Sequence, residues 1–155
     1  MSIERLGFVH AAAMAAVHEL CFDTPWREKD FQTFLSLPTY CAYGWIEDSN
    51  ALAGFVLYNT VIPEIEVSTI CVAPDYRRSG IAKMIFEQTL DKIEGVEKCF
   101  LEVAANNEPA ISLYSSLGFS ISGIRKNYYR MANGDLQNAV LMNYDFAPVE
   151  TKERS

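Results

Sequence analysis

The sequence holds only two histidines, His10 and His18, and its four cysteines, Cys21, Cys41, Cys71 and Cys99, stand far apart with no Cys-x-x-Cys pair. Zinc is held by clusters of such ligands, so no metal site is expected. The spacing offers no disulfide framework either, and free thiols in a reducing compartment are expected. Positive charge is also scarce. Thirteen Lys and Arg face twenty Asp and Glu, giving a net charge of −7 and a pI near 4.8. That deficit argues against direct nucleic-acid binding, which needs clustered cations for the phosphates. It favours a cationic partner, whose approach an acidic surface speeds. Long apolar runs are missing too. The run 11–17 is too short to span a bilayer, and Glu4, His10, His18 and Glu19 around it do not suit a leader peptide. A cytoplasmic protein without a membrane segment is expected. The Gly-rich fingerprints of P-loop and dinucleotide folds are absent as well.

What is present is the balance of a globular protein: 155 residues, half of them hydrophobic and about a fifth charged. No repeat or linker divides the chain, so one domain is expected over 1–147, followed by a polar tail over 148–155. Pattern reading predicts a strand over 3–9 and a helix over 10–21. Pro25-Trp26 breaks the chain before a second helix over 28–35. Strands are predicted over 40–46, 51–61 and 64–72. In the last, Ile65, Val67 and Thr69 alternate with Glu66, Ser68, Ile70 and Val72. After Gly80 the period lengthens. Ala82, Phe86, Leu90 and Ile93, widened by Ile81 and Ile85, form the buried stripe of a helix that Gly95 ends. The apolar run 99–104, interrupted by Glu102, reads as a strand covered on both faces. Asn107 is placed as a helix N-cap, with Ala110, Leu113, Tyr114 and Leu117 on one face and Gly118 as the stop. Strands over 119–124 and 139–146 close a mixed α/β fold.

The segment 72–83 carries the most information. A strand ends at Val72, a short basic loop follows, and a helix begins at Gly80. Free N–H groups and the helix dipole make such a start a phosphate site. Gly80 and Ala82 let a pyrophosphate approach the backbone, and Arg77, Arg78 and Lys83 reverse the sign of an otherwise acidic chain. An ordinary strand–turn–helix with solvated arginines would look similar. However, Arg77-Arg78-Ser79-Gly80-Ile81-Ala82 resembles the Q/R-x-x-G-x-G/A signature of the GNAT acetyltransferases, with Ser79 where a basic residue or Gln is common. The resemblance implies that this turn binds the pyrophosphate of coenzyme A, and that Ile70-Cys71-Val72 pairs through its backbone with the pantetheine arm. It also implies a twisted, mostly antiparallel sheet with helices on both faces.

Leu101-Glu102-Val103, together with Asn107, Ala110, Leu113-Tyr114 and Gly118-Phe119, resembles the LEV…N-x-x-A-x-x-L-Y-x-x-x-G-F run of RimI-like ribosomal-protein alanine N-acetyltransferases. Pro25-Trp26 with Glu28 and Phe31, and Arg125 with Asn127-Tyr128-Tyr129, resemble two flanking motifs of that branch. The likeness spans about 21–144. By that resemblance Glu102 is the general base, Tyr114 the general acid, and Asn107 a contact of acetyl-CoA. Tyr128, Tyr129 and the loop around Trp26 would shape the peptide groove. An isolated charge inside an apolar strand is costly, which sets Glu102 apart. Tyr114 in an apolar stripe reads equally well as core. Glu66 is the rival base, because other branches place a catalytic Glu on the matching strand. His10 and His18 read as structural, Met84 and Phe86 as core, and Cys71 as a strand residue.

The implied activity is acetyl transfer from acetyl-CoA to the N-terminal amine of a protein, with the N-terminal alanine of a small-subunit ribosomal protein as acceptor. A small-molecule amine or lysine acceptor, and a non-catalytic acetyl-CoA-binding module, remain as alternatives. A monomer or weak dimer is expected.

Overall fold

The computed structural model describes residues 1–77 and 79–146. The expected polar tail and Arg78 lie outside those residues.

Seven strands form one sheet in the order β1-β2-β3-β4-β5-β7-β6. They are β1 (Ser2–Leu6), β2 (Tyr40–Ile46), β3 (Leu52–Val61), β4 (Glu64–Val72), β5 (Lys98–Ala104), β6 (Phe119–Arg130) and β7 (Leu136–Tyr144). Every neighbouring pair is antiparallel except β4 and β5. The helices are α1 (Ala11–Cys21), α2 (Glu28–Leu35), α3 (Ile81–Leu90) and α4 (Glu108–Leu117). Met14 and Val17 of α1 and Phe31 of α2 pack with Phe55 and Leu57 on one face. Ile85 and Phe86 of α3 and Tyr114 and Leu117 of α4 pack with Val56 and Tyr58 on the other. Alternate residues of β3 thus serve opposite cores, as a strand covered on both faces must. The expected mixed α/β sheet with helices on both faces is what the chain forms.

Several boundaries differ from the sequence reading. β1 stops at Leu6, because a helical turn at Phe8–His10 is closed by His10 N–H donating to Gly7 O at 2.8 Å. α3 stops at Leu90, where the next bonds tighten to Lys92 N–H on Thr89 O and Ile93 N–H on Leu90 O. Ile93 still packs on the core. β6 continues to Arg130 and β7 starts at Leu136, since they form a hairpin whose turn holds Met131 N–H on Asp135 O.

The alternation expected along β4 fails halfway. Val67 pairs with Tyr58 while Thr69 pairs with Leu57, so Ser68 is an extra residue in the ladder. Beyond this bulge every side chain changes face. Ile70 joins Ile65 and Val67 on the α3 side, and Cys71 joins the α1 side.

One further irregularity positions the site. β4 and β5 run parallel and pair at Glu64–Lys98, Ile65–Cys99 and Glu66–Phe100 only. From there to Val72 and Ala104 the two strands part, and the sheet opens into a wedge.

Candidate active site

The open edge of β4 can be read from its hydrogen bonds. Ala73 N–H donates back to Ala53 O of the chain beside it at 2.8 Å. The Val72 carbonyl instead accepts from Arg77 Nε at 3.0 Å and from the Cys21 thiol at 3.4 Å. In an antiparallel ladder the backbone groups of successive residues point to opposite sides. The polar backbone of Ile70 and Val72 therefore faces the wedge.

A groove of about 640 Å³ runs along this edge. Ile70, Cys71 and Val72 line it at the strand end, and Arg77, Gly80, Ile81, Ala82 and Lys83 at the turn and the start of α3. Asn107 lines it from the opposite wall. Gly80 takes φ 73°, a left-handed conformation that glycine adopts without strain, and a Cβ there would meet nothing within 4 Å. Met84 N–H is the first to bond back into the helix, to Gly80 O at 3.0 Å. Among the described residues nothing accepts from the N–H groups of the preceding turn, the arrangement in which a helix start takes an anion. Of the described residues expected to hold the cofactor, Ser79 alone stays off the wall; its hydroxyl donates to Tyr76 O at 3.1 Å. Arg78 is outside the described residues.

Asn107 caps α4, its Oδ1 accepting from Ala110 N–H at 3.2 Å. The far wall of the groove is α4 itself, through Pro109, Ala110, Leu113 and Leu117. Ala110, Leu113 and Leu117 read as core stripe in the sequence, and the wedge leaves Ala110 and Leu113 only partly buried. Cys21 and Phe22 at the end of α1 also line it, and no periodicity or motif marks either for that place.

Glu102 and Tyr114 lie beside the groove and are not part of its lining. Glu102 sits on β5 two residues past Phe100, the partner of Glu66, so both carboxylates share one face of the sheet. The Glu102 side chain is 17% exposed, and Arg125 Nη2 approaches its Oε1 to 3.4 Å. Burial raises the pKa of Glu66, and the charge of Glu102 adds to that rise. Burial pushes the Tyr129 hydroxyl up to about 12, with Glu102 contributing next. Tyr114 projects from α4 on the opposite face, 7% exposed. Burial, then the neighbouring Cys71 and Tyr129, hold its hydroxyl protonated far above neutral pH. Glu102 and Tyr114 thus lie on opposite faces of the sheet, with Tyr129 electrostatically near each of them. Among the described residues no group of three or more His, Cys, Asp or Glu could hold a metal ion.

The acetyltransferase (GNAT) family profile matches residues 11–119. The chain is 36% identical over 125 residues to the [ribosomal protein bS18]-alanine N-acetyltransferase of Salmonella typhimurium, covering 76% of this chain and 79% of that one. The chain belongs to the GNAT acetyltransferase family. The crystal structure of the Escherichia coli ribosomal-protein-S18-alanine N-acetyltransferase superposes with a TM-score of 0.83 at 30% identity, covering 97% of each chain. Arabidopsis thaliana NAA60 in complex with acetyl-CoA has a TM-score of 0.78 at 19% identity, covering 92% of this chain and 97% of that one, and shares the fold. The protein is an acetyl-CoA-dependent N-acetyltransferase, and the GNAT resemblance read from the Gly80 turn and the Glu102 strand is correct. Among the described residues, no helix of this acetyltransferase is long and apolar enough to cross a membrane.

Proposed function

We propose that this acetyltransferase modifies the N-terminal α-amine of a small-subunit ribosomal protein that begins with alanine. The relatives' acceptor supports this reading, as does the pair of carboxylates on the face of the sheet where the wedge opens. An α-amine titrates near 7.7–8.0 against roughly 10.4 for lysine, so it reaches its nucleophilic form far more readily at neutral pH.

In this reading the groove holds acetyl-CoA. The open backbone of Ile70 and Val72 pairs with the pantetheine arm alongside Cys71, and the free N–H groups at Gly80, Ile81 and Ala82 take the pyrophosphate. Arg77 and Lys83 add charge, Asn107 donates from the opposite wall, and Arg78 and Ser79 complete the turn. Acetyl-CoA supplies a thioester at the gap between β4 and β5. Glu102, on one side, takes the proton of the incoming amine directly or through a water. Tyr114, on the other, keeps its proton at neutral pH and gives it to the departing thiolate. That leaving group titrates near 8.5 and needs modest help. Glu66, made more basic by burial and by Glu102, holds the ammonium before transfer and is the alternative base.

The observation that supports this reading is the pair of carboxylates, Glu66 and Glu102, on one face of the sheet where β4 and β5 part, beside a groove that runs to the Gly80 turn. The test is incubation with acetyl-CoA and a peptide copying the N-terminus of that ribosomal protein, with the acetyl group located by mass spectrometry. Terminal acetylation is expected, falling about 10²–10⁴-fold in Glu102→Gln. Acetylation of polyamines and not of the peptide would overturn the acceptor. A greater loss in Glu66→Gln than in Glu102→Gln would exchange the two carboxylates' roles.

A further inference from the structure

Two of the four cysteines meet at the wedge. Cys21 ends α1 and Cys71 lies on β4, both line the groove, and each thiol shifts the pKa of the other. Arg77 reaches the same point, its Nη2 donating to Cys21 Sγ at 3.4 Å while its Nε holds the Val72 carbonyl at 3.0 Å. Cys21 is half-buried, whereas Cys71 is buried. The hydrogen bond from Cys71 does most to hold the Cys21 thiol down, to about 6. Burial opposes this, and the hydrogen bond and charge of Arg77 assist. Burial raises Cys71 well above the usual thiol range, so Cys71 remains the donor. The Cys21 sulfur, its pKa lowered, is thus accessible from the groove with the Arg77 guanidinium beside it. Those are the conditions that make a cysteine react. Amine acetylation by Glu102 and Tyr114 uses neither thiol.

We propose that Cys21 is a thiol–disulfide exchange site that captures small anionic disulfides inside the acetyl-CoA groove. The inference rests on that groove being the acetyl-CoA site. The Cys21 thiolate attacks one sulfur of a disulfide R–S–S–R. That S–S bond breaks, a Cys21–S–S–R bond forms, and the second half leaves as R–S⁻ with the electron pair. The cysteine is oxidised as half of the small disulfide is reduced. The captured half occupies the path of the pantetheine arm, so the adduct excludes acetyl-CoA until a thiol releases it. Coenzyme A disulfide and glutathione disulfide share the required chemistry, an anionic body on an exchangeable S–S bond.

The test treats the reduced protein with each disulfide in separate arms, followed by intact-mass measurement and peptide mapping. One adduct on Cys21 is expected, absent in Cys21→Ser and removed by dithiothreitol. Acetyl-CoA added beforehand should slow capture at least tenfold, and adducted protein should show no acetyl-CoA binding by calorimetry. The pH midpoint of Cys21 alkylation should lie near 6 in the native protein. It should move toward the ordinary thiol value of about 8.5 in Arg77→Ala and in Cys71→Ala. Faster capture of coenzyme A disulfide would support the oxidised cosubstrate as ligand, and equal or faster capture of glutathione disulfide the peptide disulfide. An adduct on another cysteine, or a midpoint unmoved by both substitutions, would overturn the proposal. If the reduced protein binds acetyl-CoA and captures nothing, only this inference fails. If it forms the adduct and binds no acetyl-CoA, the reading of the groove fails instead.

Discussion

Tyr114 is a packed aromatic whose proposed role in the chemistry rests on its hydroxyl alone. Its ring meets Phe119 edge-on at 5.9 Å and belongs to the α3–α4 core, while no hydrogen bond holds its hydroxyl among the described residues. Replacing Tyr114 by Phe keeps the ring, so the melting temperature should stay within a few degrees. Turnover should fall about 10²-fold if the hydroxyl protonates the leaving thiolate, with KM for acetyl-CoA little changed. Steady-state kinetics beside a thermal scan separates these effects, and unchanged turnover would remove the acid role. From the sequence alone this residue could be read as core or as catalyst, and the structure places it in the core. Glu102 and the Gly80 turn were legible because each breaks a local pattern, a charge in an apolar strand and a glycine at a helix start. Cys21 and Phe22 were not, because what places them on the groove is the approach of α1 to β4, which leaves no trace in local spacing.

At the scale of elements, α1 is tied to the rest of the site by His18. Its Nδ1 accepts from Trp26 N–H at 3.0 Å, so Nε2 carries the proton toward Thr69 Oγ1 at 3.3 Å. The ring is stacked between Phe22 and Trp26. One imidazole thus pins both the loop at Trp26 and the segment of β4 just past the Ser68 bulge. Burial lowers its pKa from 6.5 to about 4. The unfolded chain takes up this proton below about 6.5 and the native chain only near 4, so protonation favours unfolding within that window. Stability should be insensitive to this group above pH 6.5 and fall by about 1.4 kcal/mol per unit below it, about 3 kcal/mol by pH 4. Urea titrations at pH 7 and pH 5 should show the loss, and His18→Gln should flatten the difference while lowering the pH 7 value. An equal pH dependence in both proteins would place the effect on other groups. The sequence marked His18 as structural and gave the helix and strand it joins. It did not give the bulge, because strict alternation fits both halves of β4 separately and nothing in Val67-Ser68-Thr69 announces that they are out of phase.

For the molecule as a whole, the order of helices and strands could be read from periodicity, but the order of strands within the sheet could not. β7 enters between β5 and β6, and β4 meets β5 in parallel across α3; both are long-range choices that local patterns do not encode. The decisive event, the parting of β4 and β5 after Glu66 and Phe100, occurs in strands that each read as continuous. It leaves a half-built ladder in the middle of the sheet, and that defect should be visible in hydrogen–deuterium exchange. The amides of Cys71 and Ala73, turned toward β3, should be protected. Those of Ile70 and Val72, one residue away on the same strand, should exchange far faster. Saturating acetyl-CoA should slow the second pair while barely changing the first, an alternation of one residue that general tightening of the fold would not produce. In such a record the cosubstrate would register as the missing strand of the sheet.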